Sequence, residues 1–167
     1  MPVREFEYMH GAVLAKILRK DEPLQLTLVE TNSDETNSVY KIASSERKES
    51  VLYIKHSKTP RTRNKDNSPI STFNFTFTSM NLADLKRYSS NSLILALVCA
   101  QQNYKANGSE ICVLYNEKIL QLIDIDAATT QVISVISEPK KSLRVRGTLT
   151  NNEDLIIPRK QIESLVF

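Results

Sequence analysis

The residues in this chain best suited to chemistry fall between positions 50 and 78. A β-prone run, Val51-Leu52-Tyr53-Ile54, ends on Lys55, which predicts a buried strand that delivers one ammonium group to the rim of a sheet. Residues 56–71 follow as a polar segment in which Lys58, Arg61, Arg63 and Lys65 sit among Pro60, Asn64, Asn67 and Pro69, and we expect a mobile cationic arm anchored at both ends. A second cationic cluster, Lys140, Lys141, Arg144 and Arg146, falls on an expected late hairpin. Lysines and arginines gathered in this way neutralise phosphates and release counterions. Thr59, Thr62, Asn64 and Ser68 would add hydrogen bonds to phosphate oxygens. Two basic hairpins flanking one groove would form a surface for DNA or RNA; the same charges also serve plain solubility.

Other chemistries are poorly supplied. The chain has three glycines, Gly11, Gly108 and Gly147, so a glycine-rich phosphate loop and a Gly-x-Ser-x-Gly nucleophile elbow are both excluded. His10 and His56 are too few, and too far in sequence from a cysteine pair, to suggest zinc. Cys99 and Cys112 are embedded in apolar sequence and read as buried, inert thiols. The net charge of +3 and a pI near 8.8 permit a polyanionic partner without demanding one. The polar N-terminus and an apolar run confined to residues 93–100 point to a cytoplasmic protein with free thiols and no membrane partner.

The elements that must position these groups follow from periodicity. Val13, Leu14, Ile17 and Leu18 share one face of a helix over residues 6–20, closed by Asp21-Glu22-Pro23. Leu24, Leu26 and Leu28 alternate with polar residues, 38–43 returns as a strand, and Val51 opens a third, so the simplest reading is a meander. Phe73, Phe75 and Phe77 alternate with Asn74, Thr76 and Thr78, which gives a strand with one aromatic face. A short helix is expected over 81–88, a central strand over 93–99, a strand over 111–115 and a helix over about 116–125. Residues 131–136 and 142–148 form the late hairpin. The fold class is α/β (α+β): one domain over residues 1–167, with a mixed central sheet flanked by helices and a C-terminal antiparallel hairpin.

Helix, three-stranded meander, helix, strand is similar to the core of the restriction-endonuclease-like superfamily, the PD-(D/E)XK nucleases. The likeness covers roughly residues 5–115 and is one of element order. It implies an acid at the start of the second strand, where Asp34 precedes the strand at 38–43. It also implies an acidic-x-Lys triplet on the third strand, where Tyr53-Ile54-Lys55 supplies the lysine. The chain departs from the family at Tyr53, which stands where an acid would be and is a poor ligand for Mg²⁺. The resemblance further implies a helix-borne acid, Glu5 or Glu7. If the chain cleaves, Asp34 with Glu7 or Glu30 would hold Mg²⁺ while Lys55 orients water.

Two functions of different class follow as expectations. One is a nucleic-acid-binding protein with a degenerate restriction-endonuclease-like core, extending to a Mg²⁺-dependent nuclease of a bacterial or phage defence system. The other is a non-enzymatic interaction module, a small subunit or inhibitor that presents the same surfaces to a protein partner.

Overall fold

Two five-stranded sheets organise the computed structural model, which describes residues 1–31, 37–46, 48–90, 92–101 and 109–167. Helix α1 (Glu5–Leu18) leads into β1 (Leu24–Thr31), β2 (Asn37–Ser44) and β3 (Glu49–Ser57). A hairpin of β4 (Arg61–Lys65) and β5 (Ser68–Phe77) precedes α2 (Ser79–Tyr88), β6 (Ser92–Cys99), β7 (Glu110–Tyr115) and α3 (Asn116–Leu122). Strands β8 (Gln131–Ser137), β9 (Leu143–Gly147) and β10 (Leu155–Ile157) and a 3-10 turn at Gln161–Ser164 close the chain.

The first sheet runs β1-β2-β3-β6-β7, with β3 and β6 parallel and its other neighbours antiparallel. The second runs β10-β9-β8-β5-β4 and is antiparallel throughout. The α+β class and the β1–β3 meander expected from the sequence are present. The phenylalanine strand, however, belongs to the second sheet, where it lies between β4 and β8. The place beside β3 is taken by β6, an apolar run that is buried from Leu93 onward, so it suits a strand covered on both faces.

Burial follows the period-2 alternation of the strands. Val51, Tyr53, Leu93 and Leu95 on the first sheet meet Phe73, Phe75, Phe77, Ile133 and Val135 on the second, and α2 and α3 complete that core. Leu52, Ile54, Ile94 and Ala96 point the other way and pack under Met9, Val13 and Ile17 of α1 and the C-terminal Phe167. Each buried phenylalanine contributes roughly 2–3 kcal/mol by removal from water. Gly147 is required where β9 passes α3, because a Cβ there would collide with the Leu122 backbone.

The segment 56–71 is not a loop. His56 and Ser57 finish β3, and Arg61–Lys65 pairs in register with β5. Asp66 and Asn67 make the two-residue turn with φ of 51° and 59°, the left-handed geometry that twists a tight hairpin correctly and that these two residue types tolerate.

Candidate functional site

The hairpin geometry brings together cations that are remote in sequence. Directly opposed residues in an antiparallel pair share a face, so one row across the outer side of the second sheet reads Arg61, Thr72, Ile136, Arg144 and, on the outer strand β10, the exposed Ile156. The neighbouring row reads Asn74, Ser134, Arg146, and Arg63 stands opposite Ile70. Two adjoining cavities of about 510 and 390 Å³ open on this face and share Arg63 and Arg144. Their linings include Arg61, Arg63, Lys65, Lys141, Arg144 and Arg146, six of the eight cations expected to bind nucleic acid. The result is a trough walled by cations on β4 and β9 and floored by short polar side chains. Ile70 and Ile136 lie on this solvent side yet are buried, as expected where the aliphatic stems of long cations lie across them.

The other two cations do not line the trough. Lys58 ion-pairs with Glu5 of α1 at 3.0 Å, and Lys140 takes a left-handed backbone (φ 63°) in the β8–β9 turn. Strand alternation explains why the wall on β4 is made of Arg61, Arg63 and Lys65: each is two residues from the next, about 7 Å along the strand.

Two carboxylates temper the trough. Asp154 accepts hydrogen bonds from Arg146 and, at 3.3 Å, from Arg144, and the Arg146 bond in particular holds its carboxyl below the usual range. Glu138 accepts from Lys141 at 2.7 Å, and that bond, with Arg144 and Lys65 nearby, lowers it likewise. Arg159 fixes the turn that carries Glu138 and Lys141. It donates to the backbone oxygens of Glu138 (2.6 Å) and Lys141 (2.5 Å) and ion-pairs with Glu110 of the first sheet. This anchor had no signal in the sequence, since a lone arginine near the C-terminus reads as a surface residue.

The residues proposed for cleavage are distributed differently. Lys55 is buried, its ammonium donating to Asn81 Oδ1 at 3.3 Å and lying 5.5 Å from the centre of the Phe77 ring. Asn81 also donates to Asn37 Oδ1 at 3.4 Å and exchanges capping hydrogen bonds with Thr78 at the start of α2. These groups lie on the inter-sheet side. Helix α1, and with it Glu7, packs on the opposite face of the same sheet. Glu7 there closes a capping box with Arg4, its carboxylate accepting from the Arg4 backbone at 2.6 Å. Glu30 shares the Lys55 face but meets Arg87 and Tyr88, each at 3.5 Å, at the far end of α2. Seven residues of helix, about 10 Å, separate Tyr88 from Asn81. Glu7 and Glu30 therefore do not converge on Lys55: the packing of α1 places Glu7 on the other face, and α2 holds Glu30 at a distance. Asp34 lies outside the described residues. Among the described residues no three His, Cys, Asp or Glu side chains are grouped to hold a metal ion.

On the α1 face sits a cluster that sequence spacing did not suggest. His10 Nδ1 is 2.9 Å from Ser38 Oγ, and its Nε2 is 3.3 Å from His56 Nδ1. Burial first, and the neighbouring His56 second, push His10 down to about 4, so it is a neutral imidazole at pH 7. The missed signal was parity: His56 follows Lys55 by one residue and so points to the opposite face, under α1. Cys99 and Cys112 are buried thiols with no disulfide. Burial raises both, Cys112 to about 12, which leaves them protonated and unreactive at neutral pH.

No helix among the described residues is long and apolar enough to cross a membrane. No protein-family model, curated protein or solved structure matches this chain.

Proposed function

We propose that this chain binds nucleic acid through the outer face of its second sheet. The observation that carries the reading is the convergence of Arg61, Arg63 and Lys65 of β4 with Arg144 and Arg146 of β9 on one exposed trough. Threonine, asparagine and serine side chains between the two walls supply neutral hydrogen-bonding groups for phosphate and sugar oxygens. Asp154 and Glu138 offset part of the positive charge and hold the arginines in place in the absence of ligand.

The test is a fluorescence-anisotropy titration with labelled mixed-sequence nucleic acid at low salt. Saturable binding that weakens on Arg61→Ala combined with Arg63→Ala supports the reading. A flat curve for the wild-type chain contradicts it and favours the rival, a module that presents these surfaces to a protein.

A second reading concerns the first sheet, proposed as a degenerate restriction-endonuclease-like core. The order α1, β1-β2-β3 meander, α2, β6 supports it, as does the register that sets Asn37, three residues after Asp34, opposite Lys55. On that reading any Mg²⁺-dependent phosphodiester hydrolysis rests on Asp34 and Lys55, since Glu7 and Glu30 are held elsewhere. A cleavage assay with Mg²⁺ tests it: activity that survives Lys55→Ala rules Lys55 out of the chemistry.

A further inference from the structure

We infer that the ligand of the trough is a double helix, gripped by its two phosphate rails across one groove, rather than an unpaired strand. This deepens the reading of the trough as a nucleic-acid interface and rests on it.

The floor of the trough does not suit unpaired bases. Proteins that hold unpaired strands combine cations with aromatic side chains on which the exposed bases stack. The outer face of the second sheet offers no such ring among the described residues. Phe73, Phe75 and Phe77, the aromatic residues of its strands, all point inward and are buried. Between the walls lie Thr72, Asn74 and Ser134, with the Ser134 hydroxyl bonded to Asn74 Oδ1 at 2.7 Å. Such side chains bind oxygens well and give an unpaired base no planar surface.

The spacing of the two walls suits a duplex. Strands β4 and β9 are separated by β5 and β8, three steps of the sheet or about 14 Å between the two walls. The grooves of a B-form duplex are about 6 and 12 Å wide, each bordered by two phosphate rails. Arginine side chains leaning inward from walls 14 Å apart bracket that range, so Arg61 and Arg63 meet one rail while Arg144 and Arg146 meet the other. A duplex also shields its bases within the stack, which removes the need for the missing aromatics. Among the described residues no exposed apolar wedge stands at the centre of the trough, where Ile70 and Ile136 are buried. Contact is therefore with the backbone of an unkinked helix and does not depend on base sequence.

The test uses the full chain with four probes: a labelled mixed-sequence DNA duplex, the RNA duplex of the same sequence, and one unpaired, non-self-complementary strand of each. With about five phosphate contacts, the steeper counterion release from a duplex predicts a preference of about tenfold for a duplex over its strand near 0.1 M salt. Preference for either duplex over its own strand supports the inference, and the two duplexes identify whether DNA or RNA geometry fits better. Equal or tighter binding of the unpaired strands overturns it while leaving the trough as a nucleic-acid interface. No saturable binding of any probe overturns the interface itself.

Discussion

Arg61 of β4 and Arg144 of β9 stand in the same cross-sheet row, with Thr72 and Ile136 between them, although they belong to two hairpins far apart in the chain. Sheet register, more than net charge, creates the trough. A chain carrying +3 overall is only weakly attractive to a polyanion, but six cations gathered on one face set a local field that short-range phosphate contacts exploit.

Asp154 competes with phosphate for Arg144 and Arg146. Asp154→Asn keeps a hydrogen-bond acceptor for the arginines while removing the negative charge. We predict tighter nucleic-acid binding by several-fold at low salt, with the gain fading as salt screens it. Anisotropy titrations of the variant and wild type at two salt concentrations check this.

Lys55 is a stabilising residue in this account of the trough. It lies between the sheets, against Asn81 and Phe77, and does not line the outer face. Lys55→Ala removes the partner of a buried amide as well as the packed stem, and it should cost about 1–3 kcal/mol. Nucleic-acid affinity should be unchanged. Chemical denaturation and an anisotropy titration of the same preparation report the two effects separately.

His10 makes stability depend on pH in a defined window. Its folded value is depressed to about 4 from an ordinary 6.5, so the unfolded chain binds this proton more readily than the folded one. The contribution is complete above pH 6.5 and is lost as pH falls from 6.5 toward 4, to a total of roughly 3 kcal/mol. His10→Gln should flatten that part of the profile. Denaturation midpoints measured between pH 4 and 7.5 test it, and parallel profiles for wild type and variant contradict it.

The inter-sheet core makes its own demand. Phe75→Ala should cost about 3–5 kcal/mol, as truncation of a buried aromatic does. Gly147→Ala should cost about 1–3 kcal/mol by overpacking against the Leu122 backbone. Thermal melts of both variants check the face-to-face arrangement, and two unshifted midpoints would contradict it.

Much of this was legible from residue order. The apolar runs and the alternation at Phe73, Phe75 and Phe77 fix which residues are buried, and both cationic clusters stand out as candidates for one groove. What the sequence concealed was pairing. Arg61-Thr62-Arg63-Asn64-Lys65 is an edge strand with every residue exposed, so it carries no hydrophobic alternation and reads as a loop. Its signal was the Asp66-Asn67 turn between two β-capable stretches. Glu7 and Glu30 are separated from Lys55 by the fold: α1 carries Glu7 on the opposite face of the first sheet, while Glu30 is held at the far end of α2. Neither relation is visible until the sheet order and the helix packing are known.

The most direct test separates placement from charge. Arg61→Ala with Arg63→Ala removes two cations from the trough, whereas Lys58→Ala with Lys140→Ala removes two that do not line it. Affinity for a duplex is measured across a salt series for both variants and the wild type. With binding through the trough, the slope of log K against log salt falls by about 2 for the arginine pair and stays close to wild type for the lysine pair. Equal changes in the two variants would contradict it, because binding would then follow total charge rather than the trough.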